Sequence, residues 1–272
     1  MERWGDTLER GYGVDRPSLR VTLLRTHAYR ATLERAASTS WRKSAALRKA
    51  NAPLDALLAF QHVNEEFELG PRFARIALVG EACSTIALAP TEARPALIAQ
   101  NLDLAQFLDG FQIMLRGPCN DGDGEVLALS VPGMISLNGM NSYGLAVCDN
   151  TLTQLRTDPA GVPIFALYRL LLEARTLADA RALVERTPHA VGLNWVMGDP
   201  SGVAMIERSG RESVFFGPNA DGAPAFHTNH PLVCREIGAK PRSGPRAAPI
   251  CATPHCISAC MAAPPIALTS KI

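Results

Sequence analysis

"GLNWVMGDPSGVAMIERSG", residues 192–210, consists of two apolar runs joined by the sequence DPSG. Asp, Pro, Ser and Gly are the residues that β-turns favour, because they adopt or fix the backbone angles that a turn needs. Two runs of strand length on either side of such a turn predict a β-hairpin. Since the two strands of a hairpin run in opposite directions, this stretch predicts an antiparallel sheet.

Similar short apolar runs lie on both sides of this hairpin. Gly, Pro, Asn or Asp marks most of their boundaries, which is typical of a meandering sheet. Several runs are apolar throughout instead of alternating, so we expect helices to cover a face of the sheet. The runs are FARIALVG (73–80), CSTIALAP (83–90), PALIAQ (95–100), FQIMLRG (111–117), EVLALSVPG (125–133), YGLAVCDN (143–150), ESVFFGP (212–218) and PAFHTNHPL (224–232).

Two regions, residues 16–67 and 163–187, space their apolar residues at three and four, which predicts helices. The second region holds two of them: Pro163 begins one, and Thr176 with Asp179 three residues later resembles a capping box for the other. The order is helices, strands, two helices, strands. It predicts an α+β fold with mainly antiparallel sheets, and two layers of sheet between helices suit it.

Composition and charge exclude several classes of protein. The 272 residues include 27 basic and 26 acidic ones, so no overall field attracts nucleic acid or an anionic membrane. Residues 1–16 are charged and lack the apolar segment of a secretory signal, and no apolar run is long enough to span a membrane. Because the seven cysteines are odd in number, we expect reduced thiols and a cytoplasmic protein.

Cys83 stands in the stretch GEACSTIALAP, residues 80–90, among small and apolar residues. Cysteine is one of the most frequently buried residue types, so a structural thiol is one interpretation. The other is a catalytic nucleophile, which commonly needs a base within reach. No local cysteine-protease signature surrounds it.

The stretch FHTNHPL, residues 226–232, places two histidines on either side of Asn229. The polar side chains are candidates for a metal site, for a structural cluster or for part of a catalytic site. In a regular strand residues 227 and 229 point to one face and residues 228 and 230 to the other. The two histidines therefore cannot both bind one metal ion from a regular strand.

Three other polar residues are candidates for the same site. Asn141 and Asn150 lie in SLNGMNSYGLAVCDNTL, residues 136–152, where they suit either hairpin turns or a pocket lining. Asp103 follows Cys83 by twenty residues, which is enough for the chain to return beside it as the next strand, although a solvated turn aspartate is the alternative.

Two further stretches have the residue types of metal sites without their spacing. CNDGDGE, residues 119–125, lacks the spacing of an EF-hand loop and suits a hairpin turn. CATPHCISAC, residues 251–260, lacks the spacing of a common zinc motif. We therefore expect neither a metal ion nor a cofactor.

Five motifs follow one another in a characteristic order: CSTIALAP (83–90), QNLD (100–103), PGMISLNGMNSYGLAV (132–147), GDPSGVAMIERSG (198–210) and HTNHPL (227–232). This series resembles the acyl-coenzyme A:6-aminopenicillanic acid acyltransferase family, the C45-type branch of the N-terminal nucleophile hydrolases. The resemblance covers residues 80–234 well and the N-terminal helices loosely.

The resemblance implies an αββα sandwich and a precursor that cuts itself between Ala82 and Cys83. Residues 1–82 would form a small chain, and residues 83–272 a large catalytic chain within the same structural domain. Cleavage would make Cys83 an N-terminus whose own α-amino group acts as the base. The reference pKa of an α-amino group is about 7.7–8.0 and that of a thiol about 8.5, so the two groups are matched for proton transfer.

The family's chemistry is acyl transfer, which assigns roles to the candidate residues. The Cys83 thiolate would attack the carbonyl of a small acyl amide or acyl-coenzyme A thioester, and water or an amine would then take the acyl group. Asp103 matches the aspartate that holds the nucleophile and its amine, and Asn229 matches the oxyanion asparagine. Asn150 is a candidate second donor by position.

The resemblance also bears on the pocket and on assembly. Pocket residues for the substrate are expected to be Asn141, His227 and Thr228. Neither nucleic acid nor a membrane is an expected partner, and assembly of processed heterodimers into a homo-oligomer is one arrangement that the resemblance allows.

Two alternatives remain open from the sequence. The stretch after residue 235 matches no motif beyond Ser243 and Arg246, which stand where the family has a serine-arginine segment. An unprocessed, inactive relative that acts as a binding or scaffold protein is therefore the second hypothesis. The third is a thiol hydrolase that works without cleavage and uses His227 or His230 as its base.

Overall fold

The structure is a computed structural model that describes residues 61, 65, 83–104, 108–120, 122–217 and 223–238. The helices expected before residue 61, the Ala82 side of the cleavage position and the cysteine-rich stretch at 251–260 lie outside the described residues. Ser243 and Arg246 lie outside them as well. The small and large chains expected on either side of Cys83 therefore stay predictions.

Seven strands form the larger sheet, in the order in which they follow along the chain, and every neighbouring pair is antiparallel. The predicted hairpin is confirmed and forms the fifth and sixth strands of this sheet, joined between Asp199 and Gly202. The strands are β3 (Ile113–Pro118), β4 (Glu125–Ser130), β5 (Asn138–Asn141), β6 (Ala146–Thr151), β7 (Leu193–Asp199), β8 (Gly202–Arg208) and β9 (Ser213–Phe216).

A second sheet has three strands, with β1 (Cys83–Leu88) in the middle. β2 (Leu97–Leu102) pairs with β1 along its whole length, and β10 (Ala225–His227) pairs with the opposite edge of β1. The PAFHTNHPL run thus joins the smaller sheet, and its strand is only three residues long. The strand ends at His227, so the facing described for a regular strand does not apply to residues 228–230, where the chain turns ahead of Pro231, a residue that cannot donate to a ladder.

Both predicted helices of the second helical region are confirmed, as α1 (Ile164–Leu171) and α2 (Leu177–Arg186). Thr176 caps α2, since its hydroxyl accepts a hydrogen bond from the backbone N–H of Asp179 at 3.1 Å. Pro163 offers α1 no side-chain cap. Glu65 fills that role from a distant part of the chain, because its Oε1 accepts from the N–H of Ile164 at 2.7 Å.

The two sheets stack face to face, and the helices cover the other face of the larger sheet. Apolar residues of α1 and α2 pack with alternate residues of β6, β7 and β8, among them the fully buried Trp195. The opposite face of these strands meets the smaller sheet, where Ala87 packs with Cys148, Val196 and Met205. The predicted α+β class with antiparallel sheets is confirmed, and three layers of the expected sandwich lie within the described residues.

Within the part of the chain that the structure describes, no helix is long and apolar enough to cross a membrane.

Candidate active site

Cys83 is the first residue of β1 and lies opposite Leu102 of β2. The burial pattern of β1 shows Thr85 and Ala87 buried, with Cys83 on the same side of the strand by alternation. That side faces the larger sheet. The half-buried thiol of Cys83 therefore lies at the end of the gap between the two sheets.

Asn229 holds the backbone nitrogen of Cys83. The N–H of Cys83 donates to Oδ1 of Asn229 at 2.6 Å, and Nδ2 of Asn229 donates to the carbonyl oxygen of Thr151 at 3.0 Å. Gln154 adds a bond from its Nε2 to the Asn229 carbonyl at 3.1 Å. The end of β6 thus orients the Asn229 amide, which in turn fixes the start of β1. One hydrogen on Nδ2 of Asn229 remains for another acceptor.

β2 brings Gln100 and Asp103 to the thiol. The Gln100 side chain and the Asp103 backbone both hydrogen-bond Cys83. Gln100 is itself oriented, because its Nε2 donates to the Asp149 carbonyl at 2.6 Å and its Oε1 accepts from Nδ2 of Asn138 at 3.0 Å. The Asp103 carboxylate is exposed and accepts from Nδ2 of Asn101 at 3.0 Å. The expected return of the chain beside Cys83 is confirmed, with the backbone of Asp103 as the group that touches the thiol.

The environment of Cys83 disfavours the thiolate in the unbroken chain. Burial, together with the nearby carboxylate of Asp149, raises the pKa of the Cys83 thiol from 9.0 to about 12. The hydrogen bonds from Gln100 and from the Asp103 backbone oppose this shift only in part. The thiol is therefore protonated at neutral pH. Among the described residues, no histidine hydrogen-bonds Cys83 to serve as its base.

Asn150 lies fully buried beside this site, on the face of β6 that meets β1. Its Oδ1 accepts from the hydroxyl of Thr85 at 2.7 Å and from Nδ2 of Asn194 at 2.9 Å. Its own Nδ2 has no hydrogen-bond partner among the described residues. A buried amide donor is rarely left unpaired, so this nitrogen is a candidate contact for a bound acceptor.

Glu207 of β8 fastens the segment that carries Asn229. Its carboxylate lies 2.7 Å from Nε2 of His227 and accepts from the backbone N–H groups of Leu232 at 2.5 Å, Val233 at 3.0 Å and Cys234 at 2.7 Å. Burial by itself raises the pKa of Glu207, but these hydrogen bonds together hold that pKa below its usual value. The carboxylate is therefore ionised and bridges the two ends of the segment around Asn229.

Asp149 is a buried acid behind the site. The hydroxyl of Tyr168 donates to its Oδ1, while its Oδ2 has no partner among the described residues. Burial raises the pKa of Asp149 from 3.8 to about 7, and the bond from Tyr168 lowers it only partly. Its carbonyl oxygen, as described above, receives the bond from Gln100.

The residues expected to line the substrate pocket either lie on the other face of the larger sheet or make their hydrogen bonds within the protein. Asn141 sits on the helix-covered face, where Nδ2 donates to the carbonyls of Leu172 and Ala174 and Oδ1 accepts from the N–H groups of Tyr143 and Leu145. Those bonds use its full capacity, so the fold accounts for Asn141 without a substrate.

The pocket candidates of the HTNH motif are also tied into the protein. His227 is buried, with Nε2 at Glu207 and Nδ1 at 2.6 Å from the Thr228 carbonyl. The Thr228 hydroxyl lies 2.8 Å from Nδ1 of His230. The structure therefore brings Cys83, Asp103, Asn150 and Asn229 together and gives His227 a fold-stabilising contact.

Sequence reasoning missed four participants: Thr85, Gln100, Asp149 and Glu207. Thr85, Gln100 and Glu207 stood in the five quoted motifs, and Asp149 stood in the quoted stretch 136–152. Gln100 begins QNLD, and Thr85 is two residues after Cys83, on the same face of a strand. A strand alternation applied to these two stretches would have found both.

The chain matches the family model of acyl-coenzyme A:6-aminopenicillanic acid acyl-transferase over residues 93–238, which is more than half of its 272 residues. No curated protein matches it. Among solved structures, a Caenorhabditis elegans N-acylethanolamine-hydrolyzing acid amidase ortholog is similar with a TM-score of 0.44 and 19% identity, over 55% of this chain and 71% of that one.

Two bacterial structures are also similar. A variant of conjugated bile acid hydrolase from Clostridium perfringens has a TM-score of 0.39 at 18% identity, and covers 54% of each chain. Penicillin V acylase from Agrobacterium tumefaciens has a TM-score of 0.27 at 15% identity, over 55% of this chain and 42% of that one. The chain thus spans about half the length of these two proteins or less.

The match of the family model includes QNLD, the asparagine-rich hairpin and HTNH, which are the motifs that build the contacts around Cys83. The chain therefore belongs to the acyl-coenzyme A:6-aminopenicillanic acid acyl-transferase family.

Proposed function

We propose that this protein is a self-processing cysteine amidohydrolase or acyltransferase in which Cys83 is the nucleophile. The observation that carries the proposal is the 2.6 Å bond from the Cys83 nitrogen to Asn229. A catalytic cysteine needs its thiol to be positioned for attack. In an N-terminal nucleophile the α-amino nitrogen is the base, so that nitrogen must be positioned as well. Asn229 holds that nitrogen, and its placement by Thr151 supports a role beyond simple strand pairing.

The protonated thiol supports the same proposal. With its pKa raised to about 12, Cys83 is a poor nucleophile until a base or a cation stands beside it. Cleavage before Cys83 converts its amide nitrogen into an α-amino group. Such an amine has a pKa of about 8, so it can accept the thiol proton near neutral pH, and the resulting ammonium stabilises the thiolate. Processing thereby supplies the base that the unbroken chain lacks.

The reaction then has two halves. The Cys83 sulfur attacks the carbonyl carbon of an acyl amide or acyl thioester, a thioester bond to the enzyme forms, and the amine or thiol leaves with the proton taken from Cys83. In the second half, water or an acceptor amine attacks the thioester carbon, and the thiol of Cys83 is released. Substrates are small acyl amides or acyl thioesters, in line with the family description.

The developing oxyanion needs donors close to Cys83. The remaining hydrogen on Nδ2 of Asn229 and the unpaired Nδ2 of Asn150 are the candidates. Preorganised donors of this kind stabilise a tetrahedral intermediate more than the ground state, because the charge is larger there.

The test is the intact mass of the purified protein under denaturing conditions, followed by acyl-amide hydrolysis. We expect two species, residues 1–82 and residues 83–272, and a single full-length species for Cys83→Ala. Cys119→Ala, a cysteine in the helix-covered core, is the matched control and should still be cut. A single full-length species from the wild-type chain, with no turnover of acyl amides, would overturn the proposal in favour of an unprocessed relative.

A further inference from the structure

A layer of buried polar residues lies between Cys83 and the apolar centre of the gap between the two sheets. The apolar centre consists of Ala87, Cys148, Val196 and Met205. Two residues away on each of these strands, and on the same face by alternation, the polar layer consists of Thr85, Asn150, Asn194 and Glu207. Because Thr85 is also two residues from Cys83 on β1, the polar layer lies next to the candidate nucleophile.

Asn194 lies between two other members of the polar layer and is fully buried. It is opposite Asn150 of β6 on one side and Glu207 of β8 on the other. The Glu207 oxygens are occupied by His227 and by three backbone N–H groups. Nδ2 of Asn194 donates to Oδ1 of Asn150 at 2.9 Å, while Oδ1 of Asn194 has no partner among the described residues. The hydrogen bond of the Asn194 side chain therefore goes to Asn150.

Two donors fix which end of the Asn150 amide is free. The hydroxyl of Thr85 at 2.7 Å and Nδ2 of Asn194 at 2.9 Å both donate to Oδ1 of Asn150, which uses both lone pairs of that oxygen. A hydroxyl can rotate its hydrogen and accept instead, whereas Nδ2 of an amide can only donate. Asn194 is thus the neighbour that distinguishes the two ends of the Asn150 amide, and it leaves Nδ2 of Asn150 as the free end.

The unpaired oxygen of Asn194 shows that packing does not account for this residue. A fully buried oxygen without a hydrogen-bond partner costs free energy. An apolar side chain avoids that cost, as Val196 does two residues further along the same face of β7. The bond that Asn194 supplies to Asn150 is therefore its distinctive contribution.

We propose that Asn194 is a positioning residue for the reaction at Cys83, because it holds the Asn150 amide with Nδ2 directed to the acyl oxygen. Asn194 itself does not touch the substrate in this arrangement. The inference rests on the proposed function, since it places the acyl carbonyl beside Cys83. If the Asn194 donor is lost, the Asn150 amide can turn and present its oxygen to the oxyanion, which is repulsive.

The first experiment compares Asn194→Asp with the wild type in the hydrolysis of hexanoyl p-nitroanilide from pH 5 to pH 9. The introduced carboxyl can donate to Oδ1 of Asn150 when it is protonated, but it only accepts when it is ionised, so the Asn150 amide must then turn Nδ2 to it. Burial and the facing carboxylate of Glu207 raise the pKa of this carboxyl above that of an ordinary aspartate. We expect the ratio of kcat in the variant to kcat in the wild type to fall about a hundredfold as the pH rises, with KM unchanged.

Titrating groups that both proteins keep, namely Glu207, His227 and Cys83 with its amine, affect both values of kcat and cancel in this ratio. A ratio that does not change with pH would overturn the inference.

Asn194→Leu removes the donor without adding a charge. It should lower kcat about fivefold, which corresponds to one net hydrogen bond, because Thr85 still bonds Asn150. In an Asn150→Ala background the same substitution should leave kcat unchanged, since the amide that Asn194 orients is gone. Val196→Ala is the matched control on the same face of β7 and should keep kcat in both backgrounds. Additive effects of Asn194→Leu and Asn150→Ala would show a packing role alone and overturn the inference.

A measurement without turnover separates failure of this inference from failure of the proposed function. The side-chain amide protons of Asn150 are observed by NMR at pH 9 in Cys83→Ala protein and are assigned by their loss in Asn150→Ala. We expect Asn194→Asp to move them downfield, because Nδ2 of Asn150 then bonds a carboxylate. This shift in a protein that hydrolyses no acyl amide would overturn the proposed function and still support the orientation of Asn150 by Asn194. Unchanged resonances would overturn the inference even in an active enzyme.

Discussion

The N–H of Cys83 donates to Oδ1 of Asn229 at 2.6 Å, although 146 positions separate the two residues in the chain. The bond joins the first residue of the central strand of the small sheet to a residue just past its edge strand. Because Asn229 is also tied to the end of β6, one amide connects both sheets at the nucleophile. Loss of this amide is thus expected to affect the reaction more than the fold.

Asn229→Ala is the first prediction. It removes the acceptor for the Cys83 nitrogen and an oxyanion donor together, so we expect kcat to fall by about 10²–10³ with KM little changed. Stability should fall by only about 1 kcal/mol, because the bonds lost are part-buried. Steady-state kinetics measures kcat and KM, and urea unfolding measures the stability. A variant with near wild-type kcat would show that Asn229 only braces the strand.

Glu207→Gln tests a positioning residue. Each oxygen of the Glu207 carboxylate accepts two hydrogen bonds, whereas the glutamine amide has one oxygen, so two of the four donors lose their acceptor. We expect a loss of about 2–4 kcal/mol in unfolding free energy. Self-cleavage should also slow, because the segment that carries Asn229 is released at both ends.

The rate of self-cleavage, kcat and KM are measured separately for the Glu207 variants, in protein that has been shown to be folded. Glu207→Asp, which keeps the charge, should restore part of both rates. Glu212→Gln is the control, since Glu212 is exposed and its carboxylate accepts from the Cys234 thiol at 3.3 Å. If Glu207→Gln and Glu212→Gln cleave equally fast, Glu207 has a structural role alone.

Local patterns in the sequence predicted most of the strands that the structure describes, both helices of the second helical region and the hairpin at Asp199–Gly202. The run at 73–80 lies outside the described residues, and β5 was not among the predicted runs. Turn chemistry and side-chain spacing depend on neighbours in the chain, so these elements were accessible. Cys83, Asp103, Asn150 and Asn229 were likewise assigned together from ordered family motifs. Their contacts in the structure agree with that grouping, while their catalytic roles stay predictions.

The contacts that the sequence did not predict join residues that are far apart in the chain. The bond of His227 to Glu207 depends on the stacking of one sheet on the other, which no local pattern encodes. Asn141 was a candidate pocket residue, but its amide lies on the helix-covered face of the sheet and donates to the carbonyl of Leu172 at the end of α1. Asp149 stands in an apolar run of the sequence. The structure shows that its carboxyl group is buried and accepts a hydrogen bond from Tyr168.

Asn150→Ala tests the second oxyanion donor. The substitution removes the unpaired Nδ2 that we expect to meet the substrate, so kcat should fall by about tenfold or more for hydrolysis. Thr85→Val is the companion variant, because it removes only the hydroxyl that bonds Asn150 Oδ1. Thr85→Val should reduce kcat less than Asn150→Ala does. The reverse order would show that the Thr85 hydroxyl, and not the Asn150 amide, serves the reaction.

Asp149→Asn tests the buried acid through the pH dependence of stability. The native pKa of Asp149 is about 7, against an ordinary value of 3.8, so the native state binds the proton more tightly than the unfolded state does. Between about pH 4 and pH 7 the native state therefore carries more protons, and the unfolding free energy falls as the pH rises. Asparagine keeps an acceptor for Tyr168 but never ionises, so this fall should disappear.

His189 contributes a pH dependence of the opposite sign, and the comparison must remove it. Burial lowers the pKa of His189 from 6.5 to about 3, so its contribution grows as the pH rises through that interval. Both proteins retain His189, and the difference between them isolates Asp149. Urea unfolding of the two, each in a Cys83→Ala background, at pH 4.5 and pH 8 measures that difference. We expect Asp149→Asn to gain on the order of a few kcal/mol relative to its parent between the two pH values. Parallel pH profiles would show that the Asp149 carboxyl ionises in the native state as easily as it does in the unfolded chain.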